Sequence, residues 1–284
     1  MPEKDTLSRR RLLKRGLFLG LGATLIGDAF AVEPNNLQVE RIEVPIQGLG
    51  KDLDGYRIAL FSDIHWPRNV ERAHVHRAVN LANAFEPDLI AIPGDILHGR
   101  DIDTRRVPDL SGLFDGLRAR DGVVCTFGNH DASYNAPTLR RMVADHTPLV
   151  DVENRHRIVQ RGDDRLAVGG VEDLRFGKAD PVRAFDGVAP DVPRVLLSHQ
   201  PDVAEDEVWP VRIDLQLSGH THGGEVCIPF GPAPVIPSKY GQKFRAGLVE
   251  GRSHRAYVTR GIGSPVYVRF CCPPEVTHLT LRSA

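Results

Sequence analysis

The sequence predicts an α/β protein built as a four-layer α/β/β/α sandwich, two β-sheets packed face to face with helices outside both. Three observations lead there. The first half alternates short apolar strands with helix-like stretches, which argues parallel strands flanked by helices. The second half carries many strands with few helices between the late ones, which suits a second sheet better than one open sheet. The composition, 41% hydrophobic and 26% charged over 284 residues, is that of a water-soluble globular chain with a substantial core. About 150 residues per domain allows one large domain or two small ones. With no internal repeat, low-complexity tract or long linker after Val32, a single domain over 32–284 is expected. A net charge of -1 removes the simplest case for a nucleic-acid binder, and four cysteines are too few for a disulfide scaffold.

The chain opens on Ser8-Arg9-Arg10-Arg11-Leu12-Leu13-Lys14, an uncharged stretch from Gly16 to Gly27, and Ala29-Phe30-Ala31. A basic region, an apolar region and a small-residue site together read as an export signal over residues 1–31. The apolar part would span only about 18 Å as a helix, short of a bilayer core of about 30 Å. The paired arginines resemble the twin-arginine signal, with Leu12 where that pattern prefers Phe. This implies the twin-arginine export machinery as a partner and a periplasmic or cell-envelope location. An uncleaved N-terminus would instead give peripheral membrane contact. Without residues 1–31 the chain keeps 30 basic and 34 acidic residues, a charge of about -4.

Downstream, Arg57–Ser62 reads as a buried strand, and a helix capped by Asn69 runs to about Ala84 with Val70, Ala73, Val79 and Leu81 on its apolar side. Leu89–Pro93 is a second strand. A helix from about Asp109 to Arg118 carries Leu110, Leu113, Phe114 and Leu117. Val123–Phe127 is a third strand, and Pro137 suits the first position of a helix ending near Asp145. Then come Leu149–Asn154, Arg157–Arg161 and Leu166–Val171, with Gly162-Asp163-Asp164 as a hairpin turn. Later strands are expected at Arg194–Ser198, Leu215–Ser218, Ala256–Thr259, Val266–Arg269 and Val276–Leu281.

Five of these strands end in polar clusters: Asp63-Ile64-His65, Gly94-Asp95, Gly128-Asn129-His130-Asp131, Ser198-His199 and Gly219-His220-Thr221-His222-Gly223-Gly224. Ligands of open α/β sheets bind outside the carboxyl ends of the strands, so five clusters at that edge would converge. Asp and His donors without thiolates suit divalent cations such as Zn, Mn or Fe. Asp63, His65, Asp95, Asn129, His199, His220 and His222 are too many for one ion of four to six ligands, and two ions sharing Asp95 would use them all. His130 is left over.

The ordered set D-x-H, G-D, G-N-H-D, a lone H and G-H-x-H resembles the calcineurin-like metallophosphoesterases from about Arg57 to the C-terminus. The twin-arginine leader, G-H-T-H-G-G and the tail from Arg260-Gly261-Ile262-Gly263 to Pro273-Pro274-Glu275 resemble its exported bacterial branch, which includes phosphodiesterases of lipid-linked or envelope substrates. The resemblance implies one metal on Asp63, His65 and His222, another on Asn129, His199 and His220, and Asp95 bridging them. It also implies in-line attack by a bridging hydroxide, with His130 protonating the leaving oxygen of a phosphoester. A phosphomonoesterase with the same site, and a non-catalytic metal-dependent binding protein, are the alternatives. Many relatives orient that histidine with an Asp three residues after the bridging one. Here His98 holds that position, which leaves Asp101 or Asp131 as substitutes.

Other residues carry plainer expectations. His74 and His76 should be solvated, and His146, His156, His254 and His278 have no ligand-like neighbours. Cys125 should be a small buried side chain, and the adjacent Cys271 and Cys272 should not pair. Trp66 and Arg68 either border the substrate or pack at its rim. Lys239-Tyr240-Gly241, after Pro229–Pro237, would offer phosphate contacts from a loop.

Overall fold

The computed structural model describes Gly22 and residues 24–99 and 109–284; the arginines of the leader and Asp101 lie outside them. Strands β1 (Gln38–Ile46), β2 (Arg57–Leu60), β3 (Leu89–Pro93), β4 (Val123–Thr126), β5 (Leu149–Asp151) and β12 (Glu275–Ser283) form one sheet, in the order β1-β12-β2-β3-β4-β5. Strands β6 (Arg155–Arg161), β7 (Asp164–Gly170), β8 (Arg194–Leu197), β9 (Leu215–Ser218), β10 (Gly247–Glu250) and β11 (Arg255–Val258) form the other, in the order β10-β11-β9-β8-β7-β6. Strands β2 to β5 run parallel, as do β7, β8, β9 and β11.

Parallel strands must be covered on both faces, and the alternation of their side chains shows how. Ile58, Leu60, Leu89 and Ala91 of the first sheet meet Leu166, Val168, Val195 and Leu197 of the second in an apolar layer between the sheets. The opposite set, Ala59, Phe61, Ile90 and Ile92, packs against Val75 and Ala78 of helix α1 (Arg72–Ala84) and Leu139 and Val143 of helix α2 (Asn129–His146). Ala167 and Leu196 face Ala184, Phe185 and Val203 outside the second sheet. The four expected layers are present.

Several local expectations fail for identifiable reasons. The segment expected as a helix at 109–118 is a run of tight turns, Leu113 N–H to Leu110 O at 3.0 Å and Leu117 N–H to Phe114 O at 3.2 Å. Gly112 and Gly116 sit at φ 72° and 84°, outside the helical region, while Leu110, Leu113 and Phe114 are buried all the same. Pro137 lies inside α2 rather than at its start. The helix begins at Asn129 because Asp131 accepts the N–H of Gly128 and caps the first turn. Val266–Arg269 is not a strand: Tyr267 has φ 50°, and only an isolated bridge joins Phe270 to Val226. His74 is buried, not solvated, and hydrogen-bonds Ile262 O at 2.8 Å. His76 is half-buried against Gly112 O. Strands β1 and β10 were not anticipated.

The core histidine His254 makes a testable contribution. Its Nε2 meets Gln216 Oε1 at 2.8 Å, and burial holds its imidazole down at about 4. Between that value and the unfolded value of about 6.5 the unfolded chain takes up a proton that the native chain does not, so stability falls as pH drops through this window. Lowering the pH from 7 to 5 should cost His254 about 2 kcal/mol, and urea titrations of His254→Gln should show that much less acid sensitivity. Equal pH slopes in the two proteins would refute it.

Candidate metal centre

The carboxyl ends of β2, β3, β4, β8 and β9 meet at one edge of the sandwich, and close backbone approach sets the spacing. The N–H groups of Ile64 and His65 both reach Asp95 O, at 2.8 and 3.1 Å, locking the ends of β2 and β3 together. A Cβ on Gly94 would come within 2.7 Å of both Gly128 N and His199 Nδ1, and one on Gly219 within 2.1 Å of Asp63 Oδ2. Only glycine permits those approaches. Asp63, His65, Asp95, His220 and His222 all hold φ between 52° and 69°, the left-handed region that non-glycine residues rarely occupy. Such strain persists only where the surroundings impose it, and here it turns the side chains off the strand ends into one space.

Two groups of donors that include a carboxylate result, beside a third group of three histidines, His65, His98 and His130. The ligand atoms of Asp63, His65 and His222 lie within 4.8 Å of one another, and so do those of Asp95, His199 and His220. His65 Nε2 stands 3.1 Å from His222 Nε2, and His222 Nε2 stands 3.3 Å from Asp63 Oδ1. In the second group His220 Nδ1 and His199 Nε2 are 3.2 Å apart. Asp95 stands between the groups: its Oδ2 is 3.2 Å from His199 Nε2 and 3.8 Å from His65 Nε2, while its Oδ1 accepts the His130 N–H at 2.9 Å. Asn129 is placed between Gly128 and His130 at the start of α2, and its Oδ1 is buried with no hydrogen-bond partner among the described residues. An orphaned buried oxygen costs free energy that a cation would offset.

Surrounding groups orient these donors. His199 Nδ1 donates to Pro93 O at 2.9 Å, which leaves Nε2 to face the centre. Asp63 accepts the His220 N–H at 3.1 Å on both oxygens and the hydroxyl of Ser62. Burial drives His65 and His222 well below the usual histidine value and takes His220 down to about 3, so these imidazoles are neutral with lone pairs available. Burial pushes the Asp63 carboxyl up to about 7. Burial would also raise Asp95, but His199 and His65 overrule it and hold Asp95 well below the carboxylate range. His199 is the converse: burial lowers it, and Asp95 lifts it to about 10. His199 and Asp95 thus face each other as an ion pair, and the donor set fits divalent cations.

His130 projects from the first turn of α2, where unpaired helix N–H groups favour anions. Its ring lies 4.7 Å from that of His65 and 4.8 Å from that of His98. His98 meets His65 Nδ1 at 3.3 Å and Arg68 at 3.3 Å, so among the described residues it packs beside His130, while Asp101 lies outside them. Asp131 does not serve His130. Its oxygens take the N–H groups of Ile96, Leu97 and Gly128, tying the start of α2 to the β3 loop.

Two features escaped sequence reading. Arg269 is fully buried beneath His222, donating to the carbonyls of Arg260 and Gly263 at 2.7 Å and of Cys272 at 3.0 Å. Arg269→Met should therefore destabilise the protein by about 3 kcal/mol in denaturant titrations, because those carbonyls lose their donor in the interior. A loss under about 1 kcal/mol would show the guanidinium to be dispensable. The second is a cavity of about 450 Å³ beside His220, with Leu174, Arg175, Ile236, Pro237 and Lys239 among its walls. Lys239 does reach a pocket at the centre, though its ammonium is paired with Asp206 at 2.8 Å. Its pairing had no local signal.

A family model described as calcineurin-like phosphoesterase matches residues 56–224. An uncharacterized metallophosphoesterase of Bacillus subtilis, YkuE, is 29% identical over 98% of both chains. The phosphodiesterase YaeI of Escherichia coli is 29% identical over 80% of this chain and 82% of its own. The UDP-2,3-diacylglucosamine pyrophosphatase LpxG of Chlamydia trachomatis is 25% identical over 86% of this chain and 89% of its own.

Proposed function

The chain belongs to the calcineurin-like phosphoesterase family, and from that premise we propose that it is a phosphodiesterase with a dinuclear metal centre that acts on an envelope or lipid-linked substrate. The observation that carries the reading is Asp95, a buried carboxylate within 3.8 Å of imidazoles from both donor groups. Asp63, His65 and His222 would hold one ion and Asn129, His199 and His220 the other, with Asp95 shared. Bound cations would supply positive charge against the phosphoryl oxygens and an acidified water as nucleophile. The chain's own residues do the rest. The first turn of α2 adds its N–H dipoles to the anion site. His130 has a buried Nδ1, which leaves Nε2 to deliver a proton to the leaving oxygen. Arg175 would bind an anionic or polar part of the leaving group, with Leu174, Ile236 and Pro237 as apolar walls. The diesterase YaeI and the lipid pyrophosphatase LpxG among the relatives favour a diester or pyrophosphate substrate over a monoester.

The test is turnover of bis(p-nitrophenyl) phosphate against p-nitrophenyl phosphate by protein loaded with Mn, Zn or Fe, then stripped by chelation. Metal-dependent hydrolysis that favours the diester supports the reading; preference for the monoester turns it to the phosphomonoesterase, and inertness towards both defeats it. Arg175→Ala should raise KM about tenfold with kcat little changed, the weight of one charge-assisted hydrogen bond. An unchanged KM on every diester tried would take Arg175 out of the binding site.

Residues 1–31 we read as a twin-arginine leader. Cleavage after Ala31 would remove Ala29, whose carbonyl accepts the Arg269 N–H at 3.0 Å, and keep Glu33, whose carboxylate accepts the N–H groups of Cys271 and Cys272. Replacing Arg9 and Arg10 with lysine should leave the protein in the cytoplasmic fraction, and unaltered export would exclude that route.

A further inference from the structure

We propose that the loops walling the metal centre form a bilayer-docking face, on which Ile228, Phe230, Val235 and Val266 enter the interfacial layer of a phospholipid membrane. Phe230 is fully exposed, and Val235, Val266 and Ile228 are 72%, 60% and 53% exposed. Single exposed apolar side chains are ordinary, but these belong to segments that are stitched together. Cys227 N–H donates to Phe270 O at 2.8 Å, Phe270 N–H donates to Glu225 O at 2.8 Å, and the Ile228 N–H closes a turn onto Pro232 O at 3.0 Å. Residues 226–238 and 261–268 contain no charged side chain. A loop surface of that kind resists hydration and has no charged side chain of its own to hold out of lipid; the guanidinium that touches it, that of Arg245, is tied to Gly231 O at 3.0 Å.

The occupant is argued from what adjoins the face. The hydrogen bonds from Arg269 and from the Cys271 and Cys272 amides seat Ala29 and Glu33 against the same loop. In the uncleaved chain the stretch preceding them, Gly16 to Gly27, is uncharged and too short to cross a bilayer, yet suited to lying in its surface. Among the described residues no helix is long and apolar enough to cross a membrane. The two lysines nearest the loop, Lys239 and Lys243, are paired with Asp206 and Glu205 at 2.8 and 2.6 Å, so attachment is by apolar insertion rather than by attraction to anionic lipid. Ile236 and Pro237, at the end of the same loop, line the cavity beside His220. A membrane on this face therefore presents lipid to the mouth of the centre. Docking needs no turnover, so it stands or falls separately from the hydrolase reading.

The experiment sediments full-length, metal-loaded protein with phosphatidylcholine vesicles, alongside the triple variant Ile228→Ser, Phe230→Ser, Val235→Ser. The variant should partition roughly tenfold less, while its turnover of soluble bis(p-nitrophenyl) phosphate equals that of the parent. Partition of the parent should be the same at low and high salt. Because the N-terminal stretch can bind lipid by itself, Phe230→Trp provides a local readout: its added fluorescence should shift to the blue on vesicles and be quenched by brominated acyl chains. Equal partition of parent and triple variant overturns the proposal. So does the absence of quenching at position 230, which would leave the loop to a protein partner or to water.

Discussion

Replacing His130 with alanine is expected to lower kcat on a phosphodiester by about 10²–10⁴-fold while metal content stays at that of the parent protein. The expectation rests on placement. His130 contributes its backbone N–H to Asp95 but is ringed by His65 and His98 at 4.7 and 4.8 Å rather than grouped with the donors around Asp95 and His199. Truncating the ring leaves the backbone bond to Asp95 intact, so the donors should keep their positions. Loss should fall on kcat more than on KM, and least on esters whose leaving group needs no proton. Elemental analysis decides the alternative. His130 shares a compact three-histidine group with His65 and His98, and a drop in bound metal in His130→Ala would make it a ligand and remove the proton-donor role.

Asp95→Asn should be the more damaging change, reducing bound metal to one ion or fewer per chain and hydrolysis by at least about 10³-fold. The amide keeps the size of the carboxylate but removes the negative charge that His199 and His65 face from either side. Asp95 is 1% exposed, so water cannot substitute for the lost charge. The Oδ1 contact with the His130 N–H survives in the amide, and the fold should too. Two retained metals in Asp95→Asn would mean that the ions do not share this residue, and the dinuclear reading would have to be rebuilt on other bridges.

The elements that carry the centre were the most legible in the chain. Strands β2, β3, β4, β8 and β9 are buried and rich in apolar residues, each followed within a few residues by a polar cluster, and both signals are local. Expectations fail where glycine turns or distant contacts overrule apolar spacing. At 109–118 apolar spacing suggests a helix, yet Gly112 and Gly116 turn the chain, and the apolar residues are buried from a loop instead. At Val266–Arg269 a β-branched run is spent on an exposed loop, because Arg269 turns inward to satisfy three carbonyls. His74 looked solvent-facing because nothing near it in sequence announces Ile262 O, its partner 188 residues away.

Residue chemistry and order along the chain were enough to nominate seven donors and a spare histidine, since ligand type and strand-end position are properties of short segments. Their distances are another matter. They arise from two sheets pressed together, from five backbones forced into left-handed geometry, and from partners such as Pro93 for His199 and the Gly128, Ile96 and Leu97 amides for Asp131. The packing also put His98 beside His130 and set Arg269 under His222, because side chains far apart in sequence compete for the same interior space and only the folded chain resolves which of them meet.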